Sequence, residues 1–254
     1  MNKQLIFLLL AAFFLAYCSS EPANQSVATA ASSTPKNPET VTLTNSITAE
    51  EKADGWVQLF DGRSFDNWRG YNQDGVPEKG WTIENGALVC NGGGDLITEK
   101  QYEDFDLKLE FNLSEAANSG IFYFVQEIDG QPIYYSAPEF QLVDNRTYID
   151  NQGMDIMDKH LTGDNYDLHD GIANPGITHG QWYDARIVVK DHHVEHWVNG
   201  KKHVEYDWNS PEWQKLVNAS KFKDWAYGKK GTGHIGLQDH GNVARFRNIK
   251  IREL

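Results

Sequence analysis

Asp106-Leu107-Lys108-Leu109-Glu110-Phe111-Asn112-Leu113 alternates polar and apolar side chains without a break. Neighbouring side chains on a strand point to opposite faces, so this run gives one face to a core and the other to water. Working outward from it, the pattern repeats. Ile83-Glu84-Asn85-Gly86-Ala87-Leu88-Val89 and the stretch from Val194 to Val204 each set Asn-Gly between strand-like runs, the strongest short signal for a tight hairpin. Further strands are expected near 119–126, 138–144, 183–190, 234–239 and 244–252. One stretch differs. Ser210-Pro211-Glu212-Trp213 opens with a capping Ser, Pro at the first helical position and an acid in the first turn, which predicts one short helix over 211–219. The fold class read from these elements is all-β, a two-sheet sandwich. Residues 145–180 carry many Asp, Asn, Gly and His and few apolar side chains, a long polar loop of the kind that carries function or disorder.

The N-terminal segment is of another kind. Lys3 precedes an apolar run from Leu5 to Ala16, too short to span a bilayer, and Leu15-Ala16-Tyr17-Cys18 resembles a bacterial lipobox. The expected division is a lipoprotein signal peptide over 1–17, a tether over 18–53 poor in large apolar residues, and one folded domain over 54–254. Cys18 would then be lipidated, anchoring the protein in the cell envelope. Ser19-Ser20 carries no acidic retention residue, which favours the outer membrane on its periplasmic or surface face. Cys90 is left alone, expected to be buried in a strand and inert. The 23 basic residues against 36 acidic ones give a net charge of −13, which excludes a phosphate-gripping nucleic-acid binder.

Alternation also shows what points away from the core. In Pro138-Glu139-Phe140-Gln141-Leu142-Val143-Asp144, Phe140 and Leu142 suit the core while Glu139 and Gln141 share the opposite face. In Gly233-His234-Ile235-Gly236-Leu237-Gln238-Asp239-His240-Gly241, the same logic turns His234, Gln238 and His240 outward. Gly120 and Gly236 would leave room for a ligand against the sheet. Acids and amides bonding hydroxyls, with Trp68, Tyr71, Trp197 or Tyr166 to stack on a pyranose, make a sugar surface. Ordinary glycoside hydrolysis needs two carboxyl groups about 5–5.5 Å or 6.5–9.5 Å apart. Glu139 with Asp144, Glu195 or Asp239 could be offered, but none lies in a Glu-x-Asp-x-x-Glu strand. His192-His193 and His193…His196 invite a metal, although residues three apart on a strand face opposite ways unless a bulge intervenes. A hard-ion site from Glu139, Asp239 or His240 stays open; no contiguous calcium or zinc motif, nucleophile elbow or phosphate loop is present.

Several strings together resemble the 3-keto-disaccharide hydrolase domain family of bacterial secreted proteins and lipoproteins. They are Gly55-Trp56-Val57-Gln58-Leu59-Phe60-Asp61-Gly62, Trp81-Thr82-Ile83-Glu84-Asn85-Gly86, Asn118-Ser119-Gly120-Ile121-Phe122, Pro138-Glu139-Phe140-Gln141, Ser220-Lys221-Phe222 and the run from Gly233 to Gly241. The resemblance implies a jelly roll like concanavalin A-type lectins and glucanases, with sugar on its concave face. It also implies cleavage of glycosides oxidised at C3, by C2 deprotonation, elimination of the glycosidic oxygen and addition of water. On that basis Glu139 or His196 would be the base, and His240 or Asp239 the acid or part of a metal site. Gln141 and Gln238 would hold the sugar, with Tyr166 and Asp167 reaching in from the loop. A divalent ion chelating the C3 carbonyl and C2 hydroxyl would lower the barrier further. The alternative is a carbohydrate-binding module of the same fold without chemistry.

Overall fold

A computed structural model of the protein describes residues 44–148 and 159–254. Cys18, the expected signal peptide and most of the expected tether lie outside the described residues, as do positions 149–158 of the polar loop.

The alternation becomes thirteen strands: β1 (Val57–Gln58), β2 (Trp68–Gly70), β3 (Trp81–Glu84), β4 (Ala87–Cys90), β5 (Leu96–Tyr102), β6 (Phe105–Leu113), β7 (Asn118–Val125), β8 (Glu139–Val143), β9 (Tyr183–Lys190), β10 (His193–Val198), β11 (Lys201–Asp207), β12 (Gly233–Leu237) and β13 (Ala244–Glu253). Two antiparallel sheets result. The larger runs β11-β10-β9-β6-β13-β4-β3 with β1 added on β13, and the smaller runs β2-β5-β12-β7-β8. The protein is the all-β two-sheet jelly roll that its sequence predicts. Phe105, Leu107, Leu109 and Phe111 of β6 enter the core between the sheets with Ile121, Phe140, Leu142, Ile235 and Leu237 of the smaller sheet. The opposite face of β6 is not wholly wet. Asp106 is buried there because Arg186 grips both its oxygens at 2.7 and 2.8 Å and Arg252 adds a third contact at 3.2 Å.

Both expected hairpins close on Asn-Gly. Asn85 and Gly86, and Asn199 and Gly200, all have positive φ, the pairing a type I′ turn requires and Asn-Gly tolerates best. The expected helix is α2, which follows α1 in the chain: α1 (Ala49–Ala53) and α2 (Pro211–Ala219). Ser210 caps α2 by accepting from Trp213 N at 3.1 Å. At the end of the expected tether, α1 carries a Thr48–Glu51 capping box and its Glu51 ion-pairs with Lys250 of β13. Asn45 bonds Asn248 and Gly86 O nearby, so the ordered fold takes in residues before Asp54.

The described part of the polar loop has a structural task. β8 is an edge strand, which would otherwise expose unpaired backbone groups. Residues 162–166 run along it: Gly163 N bonds Gln141 O at 2.9 Å, Gln141 N bonds Asp164 O at 3.1 Å, and Tyr166 N bonds Glu139 O at 3.1 Å. Asp164 is buried in turn by His203 at 2.9 Å and by the Leu161 and Gly171 amides. The polarity of the loop is thus partly spent on holding the edge of β8, and with it the backbone of Glu139.

Candidate functional site

Five polar residues share the outer face of the smaller sheet at one end of a cavity of about 320 Å3: Asn118, Glu139, Gln141, Gln238 and His240. β7 and β8 pair Gly120 with Gln141 and Phe122 with Glu139, and Gln238 N bonds Gly120 O at 2.9 Å. Gly120 therefore lies at the middle of the group. A Cβ there would come within 2.9 Å of Glu139 Cδ and closer still to Oε1. The glycine makes room for the carboxyl group rather than for a ligand directly.

Glu139 is only 6% exposed, and burial pushes its carboxyl up to about 8, partly offset by the Lys221 ammonium and reinforced by Asp95. Gln141 uses Oε1 to accept from Leu142 N at 3.0 Å, so its remaining polar group is the donor Nε2. Asn118 donates Nδ2 to the Tyr148 hydroxyl at 3.1 Å. Around this floor stands an aromatic wall of Tyr134, Tyr166, Phe222, Trp225 and Tyr227. Phe222 stacks on Tyr227 at 4.0 Å and Trp225 on Tyr135 at 5.5 Å, while Tyr134, 43% exposed, lies against Trp225. Lys221 contributes the one cationic chain among the lining residues; it sits over the Tyr166 ring at 4.3 Å and 3.6 Å from Asp167. Asp167 holds that lysine at the rim, with its own carboxyl drawn below the usual range first by His160 and then by Lys221.

Other residues expected at the site lie elsewhere. His196 faces inward from β10, fully buried between the sheets, bonded to the Tyr123 hydroxyl at 2.9 Å and to Gly163 O. Burial lowers its pKa to about 3, which keeps it neutral. It cannot reach the cavity, because Phe140, on the core side of β8, packs against it at 4.8 Å. Asp239 turns away: its oxygens accept from Gly92, Gly94 and Gly241 amides, so the Gly92-Gly93-Gly94 turn is moored by it. His234 lies on the outer face but bonds Gln101 and Thr98 O, beyond the apolar cluster of Phe122 and Ile133. Ile133 drops onto Gly236, where a Cβ would meet its Cδ1 at 2.7 Å, so Gly236 admits a side chain and not a sugar. Trp68 is core, its indole donating to Leu59 O at 2.8 Å. Tyr71 is buried in the Ile133 cluster, and Trp197 lies on the larger sheet beside Arg186 and Lys202. The carboxylate pairings also fail to form. Asp144 is taken up by Ala116 and Arg146 amides, Thr147 and His179, and Glu195 by Trp197 and Lys202 on the other sheet.

Sequence reading missed Asn118, Lys221 and the wall of Tyr134, Phe222, Trp225 and Tyr227. Asn118 was within reach, since it stands two residues from Gly120 and must share its face. Lys221 and Trp225 follow α2, and nothing local shows where that segment folds back. Asp95 was missed as well; burial and the neighbouring Asp239 push its carboxyl to about 7. Cys90 is buried in β4 as expected, its thiol pushed up by burial and by Asp239. For a metal, Glu139 and His240 are the ligand types that line the cavity. Among the described residues, His193, Glu195 and Glu205 also bring ligand atoms within 4.8 Å of one another on the larger sheet, where Lys202 already bridges the two carboxylates at 2.8 and 2.6 Å.

The family described as the 3-keto-alpha-glucoside-1,2-lyase-like domain matches residues 55–252. A 3-keto-disaccharide hydrolase of Bacteroides thetaiotaomicron is 37% identical over 233 residues, which cover 80% of this chain and 79% of that protein. A crystal structure from Parabacteroides distasonis, described as a candidate glycosyl hydrolase, superposes with a TM-score of 0.78 at 33% identity, covering 84% of this chain and all of the other. A second structure from that organism, described in the same words, gives a TM-score of 0.63 at 25% identity over 78% of this chain and 99% of its own.

Proposed function

This chain belongs to the 3-keto-alpha-glucoside-1,2-lyase-like family, and from that membership we propose that it is a glycoside hydrolase acting on 3-keto-disaccharides or other 3-keto-glycosides. The observation that carries the reading is Glu139, a carboxyl group in a cavity, raised to about 8 and so basic enough to take a carbon-bound proton near neutral pH. A ketone at C3 acidifies the C2 proton. Glu139 takes that proton, the C2–H electron pair becomes the C2–C3 enolate, and its negative oxygen is met by Lys221 Nζ and Gln141 Nε2. Collapse of the enolate forms C1=C2 and breaks the C1–O bond, the leaving oxygen taking a proton from His240 at the cavity mouth. Water then adds at C1, giving one proton to His240 and so restoring it, and Glu139 returns its proton to C2. The net change is hydrolysis without a second carboxylate, which suits a site where Asp144, Glu195 and Asp239 are engaged elsewhere.

We further read the chain as lipid-anchored through Cys18 in the bacterial cell envelope, with signal peptide 1–17, a tether from 18 to 53 whose last residues, from Asn45 through α1, pack on the domain, and catalytic domain 54–254. Cys18→Ala should then release soluble protein, and retention in the membrane fraction refutes the anchor. The experiment for the activity incubates the protein with a 3-keto-disaccharide and with its unoxidised parent, with and without chelator, and identifies released sugars by mass. Cleavage of only the keto form supports the route; loss with chelator adds a metal to it. Binding without product at long incubation makes the protein a carbohydrate-binding module.

A further inference from the structure

Four buried side-chain polar atoms among the described residues have no hydrogen-bond partner, and two of them, Asn118 Oδ1 and Gln238 Oε1, belong to residues that line the cavity beside Glu139. Their residues are 8% and 9% exposed. Both orphans are acceptors. Asn118 commits its donor Nδ2 to the Tyr148 hydroxyl, leaving Oδ1 as its unpartnered atom. A buried acceptor without a donor is costly to the folded protein, and such groups concentrate where a ligand completes them. The cavity therefore has a polarity. On the β8 side it offers donors, Gln141 Nε2 and the Lys221 ammonium, suited to a carbonyl or enolate oxygen. On the β7 and β12 side its lining residues carry the two unpartnered acceptors, which a small turn of the Asn118 and Gln238 side chains would present to hydroxyl hydrogens.

We propose that Asn118 and Gln238 are specificity-determining residues that each accept a hydrogen bond from a different free hydroxyl of the reacting sugar ring, so that the site takes a polyhydroxylated keto-sugar and rejects rings deoxygenated or etherified at those two positions. This rests on the proposed reading of the cavity as a sugar site. A site built to bond a hydroxyl rejects the analogue lacking it far more strongly than an apolar pocket rejects a lost methylene, because the buried partner is left unpaired again. The division also orients the ring: an enolate oxygen placed among acceptors would be repelled, so the ketone is directed to the β8 side.

The test uses a 3-keto-glycoside and its monodeoxy analogues at each remaining ring hydroxyl, with kcat/KM by mass-resolved product and affinity of the corresponding sugars by calorimetry. Two analogues should fall by on the order of a hundredfold to ten-thousandfold. Each of those losses should vanish against one variant, Asn118→Leu for one hydroxyl and Gln238→Met for the other, while the parent substrate loses a comparable factor. Gln238→Met should melt no lower than the native protein, since it removes an unpartnered group of similar shape; a residue holding the fold together would melt lower. Equal handling of all analogues, or a loss in the variants that falls evenly on every analogue, overturns the inference. Discriminating affinities without turnover leave it standing and overturn the hydrolase reading. Failure of every member to bind or react overturns both.

Discussion

Replacing Glu139 by Gln should remove turnover and make the protein more stable, by an amount that grows with pH. In the folded state the Glu139 carboxyl is raised from 4.5 to about 8 by burial, so the folded protein keeps a proton that the unfolded chain releases between those values. The group costs nothing below about pH 4.5, and stability is lost as pH rises toward 8. Each unit of that gap is worth about 1.4 kcal/mol, so the whole span bounds the effect at about 5 kcal/mol. Relaxation around the ionised group and the half-exposed Lys221 reduce it, and ~2–3 kcal/mol is expected above pH 8. Gln has the same shape and no proton to lose. For a domain of this size that corresponds to roughly 5–10 °C in melting temperature. Thermal unfolding of both proteins at pH 5 and pH 8.5 reads it: the curves should nearly coincide at pH 5, and Glu139→Gln should melt higher at pH 8.5. Turnover at pH 8.5 should fall by on the order of a hundredfold or more, the usual worth of a general base. A gap in melting temperature that is the same at both pH values refutes the reasoning, because the carboxyl would then not be raised by the fold.

Three further outcomes follow from the same geometry. The kcat/KM of the native protein should climb with pH through a midpoint near 8 and level off about one unit above it, and Lys221→Met should move that limb to higher pH by about half a unit, since the half-exposed ammonium holds Glu139 down; a limb in the ordinary carboxylate range counts against Glu139 as base. Gly120→Ala should fold, because Gly120 does not use a positive φ, yet lose most of its turnover as the new methyl displaces the Glu139 carboxyl; full activity would mean that the carboxyl position is immaterial. On the acid side, burial lowers His169 to about 4 and His196 to about 3, so the unfolded chain takes up protons first as pH falls from 6.5 and stability drops through that range. His169→Phe, which keeps the stack on Tyr206, should show a shallower fall in melting temperature between pH 7 and pH 4.5.

His196 and Glu139 illustrate how far alternation alone can carry a reading. Both stand at strand positions and both are chemically apt. Parity assigns each to one of two faces, but not which of the two faces the partner sheet covers. Glu139 lies opposite Phe140 and so faces out; His196 shares its face with Val194 and Val198, both core, and so faces in. The neighbours settle that much locally. What no local pattern supplies is the fate of an outward residue such as His234, cut off from the cavity by Ile133, or Asp239, captured by the amides of a turn about 145 residues earlier in the chain.

The elements and their kind were legible along the chain, because strand alternation, Asn-Gly turns and a capped Ser-Pro start are local matters of backbone geometry and hydrogen bonding. The sequence also marked the β8 face with Glu139 and Gln141, since side-chain period is fixed once a strand is. Tertiary structure alone decided that Lys221, Tyr134 and Trp225 meet that face and that Asn118 and Gln238 are left with acceptors unpaired. The enclosure, too, buries the Glu139 carboxyl deeply enough to raise it to about 8. These depend on which segments, far apart in the chain, close over the same few ångströms of sheet. Desolvation and electrostatic coupling are set by that enclosure and not by any residue's neighbours in sequence.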